Sequence, residues 1–108
     1  MNTIVVSGKI ASDILEDLNG EMYCSRFKIK NMSYSPNRKY NNVETVILPC
    51  IAYGNVARYV STELYNGCEV LITGRILTRT YKVESNKTVT KYYIGCNTVT
   101  KLEQEMYE

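Results

Sequence analysis

The chain of 108 residues contains no histidine and no tryptophan, and it has a single phenylalanine. Without histidine it lacks the commonest general base and the commonest metal ligand of proteins. Its four cysteines, Cys24, Cys50, Cys68 and Cys96, form none of the close CxxC pairs that zinc sites use. We therefore expect no metal site, no cofactor and no enzymatic activity, and we interpret the cysteines as small buried thiols.

Long apolar runs are also missing, since no stretch approaches the roughly 20 residues that span a bilayer. The N-terminus, MNTIVVSGKI, has no basic segment ahead of a long apolar one. We expect a cytoplasmic protein that makes no membrane contact. The length and an apolar fraction of 44% fit one globular domain with a modest core.

The net charge is only +2, but its distribution along the chain is uneven. Residues 11–21 carry four acidic side chains and the last six residues carry three, with no base in either segment. Residues 22–102 hold 12 Lys and Arg against four Glu, a balance of +8. A basic body suits a polyanionic partner, although a solvated surface of mixed charge is equally compatible with these totals.

The hydrophobic pattern predicts five strands and one helix. Alternation and β-branched residues indicate strands at 3–10, 23–32, 45–54, 68–83 and 89–103. Asn19-Gly20 is a strong hairpin signal. Between the third and fourth strands, apolar residues recur at helical spacing, with Asn55 as the predicted N-cap and Asn66-Gly67 as the stop. This order predicts an all-β protein with one helix, a five-stranded Greek-key OB-fold barrel.

The stretch GRILTRTYKV places unusual side chains on one strand face. Arg75, Leu77, Arg79 and Tyr81 share one parity, so a regular strand aligns two guanidinium groups with a phenol ring. Such a face can stack on bases and bind phosphates, although a tyrosine on a barrel strand also serves simply in packing.

The chain resembles the bacterial single-stranded-DNA-binding proteins over nearly its whole length. The resemblance lies in MNTIVVSGKIASDI, in SRFKIKN, in CIAYGNVARYVSTELYNGCEVLITGRILTRTY and in YYIGCNTVTKLE. It implies a protein that coats single-stranded DNA without strong sequence preference in replication, recombination or repair. It also implies a homo-oligomer, a dimer or tetramer, with residues 3–6 at an interface between copies.

Carried over position by position, the resemblance implies three stacking residues and seven phosphate-binding residues. The stacking residues are Tyr34, Tyr53 and Tyr81. The phosphate-binding residues are Lys9, Lys28, Lys30, Arg38, Lys39, Arg75 and Arg79. Tyr92 and Tyr93 receive no role, because neighbouring residues of a strand point to opposite faces.

Two features depart from the family pattern. Ile47 occupies a position where many members have Trp or Phe, which removes one stacking platform. Members usually continue through a flexible Gly/Gln/Pro-rich tail to an acidic tip that recruits replication and repair proteins. Here we expect an OB-fold domain at residues 1–103 and only a short acidic end at 104–108, so the recruiting tail is expected to be absent.

Three other functions remain open from the sequence. An OB-fold protein-interaction module, such as a primosome-like adaptor, would bind nucleic acid weakly. An OB domain for structured RNA would prefer hairpins to oligo(dT). An enzyme using Glu16, Asp17 and Glu21 as metal ligands is the least favoured, since these residues fall in a predicted turn and no histidine accompanies them.

Overall fold

The computed structural model describes residues 2–34 and 43–102, which form six β-strands and one α-helix. The elements are β1 (Ile4–Ile10), β2 (Leu15–Asn19), β3 (Met22–Tyr34), β4 (Val43–Tyr53), α1 (Gly54–Glu63), β5 (Glu69–Glu84) and β6 (Lys87–Lys101).

The strands form one sheet in the order β1-β5-β6-β4-β3-β2, and a further pairing of β1 with β3 closes it into a barrel. Neighbouring strands are antiparallel, except that β4 and β6 pair in parallel at Cys50 and Ile51. Within the described residues β2 pairs with β3 alone. The predicted OB-fold barrel is confirmed, and β2 is an additional strand, the outer arm of the hairpin at Asn19-Gly20.

The helix lies between the third and fourth strands of the barrel, β4 and β5, but its limits differ from the prediction. It begins at Gly54, one residue before the predicted cap Asn55, and ends at Glu63. Tyr53 occupies the N-cap position in an extended conformation, and its side chain makes no capping hydrogen bond. Gly54 has φ of 61°. Because glycine adopts this conformation without strain, β4 passes directly into the helix and Tyr53 lies at the end of the strand.

The core fills the barrel and extends under the helix. Ile10, Ile29 and Ile72 are at most 1% exposed, and α1 adds Ala57 and Val60, both with no exposed surface. Three hydrogen bonds attach the helix to β3. Ser25 Oγ donates to the Ala57 carbonyl oxygen at 2.7 Å, and it also lies 3.3 Å from Ser61 Oγ. Tyr23 Oη donates to Ser61 Oγ at 2.8 Å. The helix packs against β3, β4 and β6 of the barrel.

All four cysteines are free and buried, as the sequence predicts. A hydrogen bond between the Cys50 and Cys96 thiols, together with burial, raises the pKa of Cys50 far above its usual range. The Cys50 thiol therefore stays protonated at neutral pH. Since the thiolate is the reactive form of cysteine, the raised pKa lowers the reactivity of the Cys50 thiol.

Two glycines allow β5 and β6 to approach each other closely where both strands curve. A Cβ atom on Gly74 would collide with the carbonyl oxygen of Gly95. A Cβ atom on Gly95 would lie only 2.6 Å from Leu77 Cδ1, so the bare backbone of Gly95 makes room for the Leu77 side chain. The register of the two strands shifts between Thr73 and Gly74, which marks the bend.

Candidate nucleic-acid interface

An open groove of about 680 Å³ crosses β3, β4, β5 and β6. Its floor includes Phe27, Cys50 and Ile51. One wall is the segment that leads into β2, and the other is the long arm formed by β5 and β6. The groove is lined by four basic side chains, Arg26, Lys28, Arg79 and Lys91, and by four tyrosines, Tyr53, Tyr81, Tyr92 and Tyr93.

Strand register explains why basic and aromatic side chains meet here. In an antiparallel pair, residues directly opposite each other point to the same face. Arg79 lies opposite Lys91, and Leu77 lies opposite Tyr93. Tyr81 shares their parity in β5. The arm therefore presents cations and rings together on one face.

On β3, the alternation seen in the sequence separates the core from the groove. Phe27 and Ile29 are buried, whereas Arg26 and Lys28 are exposed. Arg26 lies opposite Ile51 of β4, and Lys28 lies opposite Pro49. Arg26 and Lys28 therefore lie on the same face of β3, and this face of the sheet continues across β4 towards β6.

Four of the predicted site residues come together in the groove: Lys28, Tyr53, Arg79 and Tyr81. Tyr53 is 38% exposed and Tyr81 is 37% exposed, which leaves ring surface available for stacking. Lys91 Nζ lies 5.8 Å from the centroid of the Tyr81 ring, a cation–π distance that links the two strands of the arm.

Three predicted residues do not line the groove: Lys9, Lys30 and Arg75. Lys9 lies opposite Lys30 where β1 meets β3, and its Nζ is 4.0 Å from Glu69 Oε1. Arg75 lies opposite Gly95, on the same strand face as Arg79 but nearer the bend. Their phosphate-binding roles stay predictions that depend on a longer path of DNA over the surface.

The remaining predicted residues lie in or beside the segment that is not described. The backbone of Tyr34 ends β3 opposite Val43, and its side chain is outside the described part of the structure. Arg38 and Lys39 are also outside the described residues. Ile47 is 50% exposed and lies opposite Lys30, away from the groove lining.

Four further residues that line the groove received no role from the sequence: Arg26, Lys91, Tyr92 and Tyr93. Arg26 shares the parity of Lys28, and this signal was present in SRFKIKN, but any solvated strand face shows the same alternation. Lys91 and Tyr93 become site residues only through their pairing with β5. Tyr92 belongs to the opposite face, yet it is 65% exposed and reaches the groove at the arm.

The described residues offer the groove little internal charge compensation. Their only ion pair is the exposed one between Lys9 and Glu69, so no carboxylate pairs with Arg26, Lys28, Arg79 or Lys91 within this part of the chain. A basic, ring-lined groove of this kind attracts a polyanion that also carries flat apolar groups.

Within the same residues, no cluster of three or more Cys, Asp or Glu side chains is arranged to hold a metal ion. No described helix has the length and apolar character needed to cross a membrane.

Comparison with known proteins gives a consistent family. A protein from Malacoplasma penetrans named single-stranded DNA-binding protein is 26% identical over 89 residues, which cover 82% of this chain and 45% of that protein. One of the same name from Fusobacterium nucleatum is 26% identical over 102 residues, covering 92% of this chain and 65% of that protein. The chain thus spans between about half and two thirds of the length of these relatives.

Among solved structures, a Plasmodium falciparum SSB in complex with ssDNA superposes with a TM-score of 0.82 at 18% identity and covers 95% of this chain and 96% of its own. A small single-stranded DNA-binding protein from Streptomyces coelicolor gives a TM-score of 0.74 at 20% identity, with 92% of each chain covered. These likenesses establish the shared fold. Because the model of the single-strand binding protein family matches residues 1–102, the chain belongs to that family.

Proposed function

We propose that this protein binds single-stranded DNA without strong sequence preference and acts in DNA replication, recombination or repair. The observation that carries the proposal is the groove, in which four basic side chains and four tyrosines converge. Membership of the single-strand binding protein family supports it, as do the names of the relatives.

The tyrosines of the groove favour a single strand over a duplex, because only a single strand has base faces free for stacking. The bases of a duplex are already stacked on one another, whereas a single strand can offer its base faces to Tyr53, Tyr81 and Tyr93. Each such contact contributes roughly 1–3 kcal/mol and is tolerant of sequence, since every base has a π-face. Arg79 suits the phosphates between stacked bases because its planar guanidinium group binds phosphate and also stacks.

The family assignment does not favour a protein-interaction module. Structured RNA is also less suited, because a paired helix conceals its base faces from the tyrosines. Action in the cytoplasm, on DNA of the nucleoid, belongs to the same proposal.

The first experiment follows the anisotropy of a fluorescein-labelled oligo(dT) of about 35 nucleotides at low and high salt. We expect tight binding that weakens steeply as salt rises, because each neutralised phosphate releases counterions. Duplex DNA and an RNA hairpin should fail to displace the oligonucleotide. Weak binding to every nucleic acid would contradict the proposal and direct the search to protein partners.

Replacing Tyr81 by Ala should weaken oligo(dT) binding by about 5-fold to 100-fold, because one stacking platform is lost. Tyr65→Ala is the matched control, since Tyr65 is 55% exposed but does not line the groove. Unchanged affinity in Tyr81→Ala, or an equal loss in both variants, would rule out a specific stacking role for Tyr81. Thermal unfolding of each variant tests whether the fold is intact.

Replacing Arg79 by Ala should reduce the slope of log affinity against log salt by about 0.7, the contribution of one phosphate contact on a single strand. Arg58→Ala is the control, because Arg58 is an exposed base of α1 that does not line the groove. The slope of this control should stay at the wild-type value. An unchanged slope in Arg79→Ala, or an equal reduction in both variants, would contradict a phosphate contact of Arg79 in the groove.

We also propose that the protein forms a dimer or tetramer through β1. Ile4, Val5 and Val6 pair with β5 on one side, and in the described residues no strand pairs with their other edge. Val5 is 64% exposed. Such an open, apolar edge favours pairing with another strand. Light scattering at micromolar concentration should give a mass of two or four chains, and a monomer would contradict the proposal.

A further inference from the structure

The groove contains one acidic side chain, Asp13, among its four cations. Hydrogen bonds hold this part of the wall against β3. The Ala11 amide donates to the Lys28 carbonyl oxygen at 2.8 Å, and the Lys28 amide donates to Ser12 Oγ at 2.8 Å. Ser12 Oγ in turn donates to the Asp13 carbonyl oxygen at 3.0 Å. The position of Asp13 at the groove is therefore fixed by the fold.

The Asp13 carboxylate is exposed, and the described residues give it no ion pair and no hydrogen bond. A carboxylate only accepts hydrogen bonds and repels phosphate. Asp13 therefore opposes the electrostatic attraction that the other groove residues provide, and it interacts favourably with ligand groups that donate hydrogen bonds.

Single-stranded DNA carries such groups, because its Watson–Crick edges are unpaired. A carboxylate can accept from the amino group of cytosine. Guanine offers two adjacent donors, N1–H and the 2-amino group, which match the two oxygens of a carboxylate. Thymine offers a single N3–H between two carbonyl oxygens that would repel Asp13. The bases thus differ in how well they can lie beside this residue.

We propose that Asp13 gives the groove a base preference, favouring a nucleotide with an amino group on its Watson–Crick edge, guanine above all, over thymine. This inference rests on the proposed function, since it concerns the same groove and the same ligand. Stacking and phosphate contacts supply affinity for any sequence, and Asp13 biases which base occupies the position beside it.

The test compares two oligonucleotides of about 25 nucleotides in which every third dT is replaced by deoxyguanosine or by deoxyinosine. Inosine keeps the ring system and N1–H but lacks the 2-amino group, so the two bases stack similarly. Isolated guanines between thymines also avoid runs of G. We expect the wild-type protein to bind the guanine oligonucleotide about three-fold to ten-fold more tightly than the inosine one.

In Asp13→Ala this ratio should fall to about one, while affinity for oligo(dT) should increase because a negative charge is removed from the groove. Glu16→Gln is the matched control, because Glu16 is an exposed carboxylate in β2 that does not line the groove. In this variant the ratio of the affinities for the guanine and inosine oligonucleotides should equal the wild-type ratio. Both side chains are exposed, so neither substitution should disturb the core.

A ratio of one in the wild-type protein would overturn the inference, as would a ratio that persists in Asp13→Ala. Either result leaves the proposed function intact if oligo(dT) still binds. Failure of the wild-type protein to bind any of the oligonucleotides would instead overturn the proposed function, so the two failures are distinguishable.

Discussion

The pairing of β5 with β6 is the constraint on which the groove depends. These two strands are the longest of the sheet, and their opposing residues determine which side chains share a face. Gly74 and Gly95 let the backbones approach where the strands bend, and the arm beyond them carries Arg79, Tyr81 and Lys91. A cation–π contact and the pair of Thr80 and Thr90, whose hydroxyl groups are 2.9 Å apart, then align the two strands of the arm.

This register also explains what the sequence could and could not predict. Parity within one strand correctly placed Arg79 and Tyr81 together. At the turn, Glu84 lies opposite Lys87, and continuing that register would place Tyr92 opposite Arg79. A shift between Lys82 and Glu84 instead brings Lys91 opposite Arg79 and Tyr93 opposite Leu77. A slip of one residue exchanges the two faces of a strand. The residues of β6 that lie opposite Leu77 and Arg79 therefore could not be assigned without knowing where the bulge is.

Elsewhere the sequence was a better guide to the fold than to the site. Alternation in β3 and helical spacing around Val56 and Val60 are local signals, and they identified the elements correctly. Asp13 shows the opposite case. In the sequence it belongs to an acidic turn, and only the hydrogen bonds of Ala11 and Ser12 to β3 place it beside the basic residues of the groove. Long-range placement of this kind has no signature in a local pattern.

The scarcity of ion pairs has a practical consequence. In the described residues a single exposed pair, Lys9 with Glu69, contributes to the fold, and exposed pairs of this type are worth at most about 1 kcal/mol. The barrel is held by its apolar core and backbone ladders, which salt screening barely weakens, whereas the groove depends on unscreened charge. On the proposed function, concentrated salt should therefore strip nucleic acid from the protein during purification and leave a folded, ligand-free barrel that is ready to bind again on dilution.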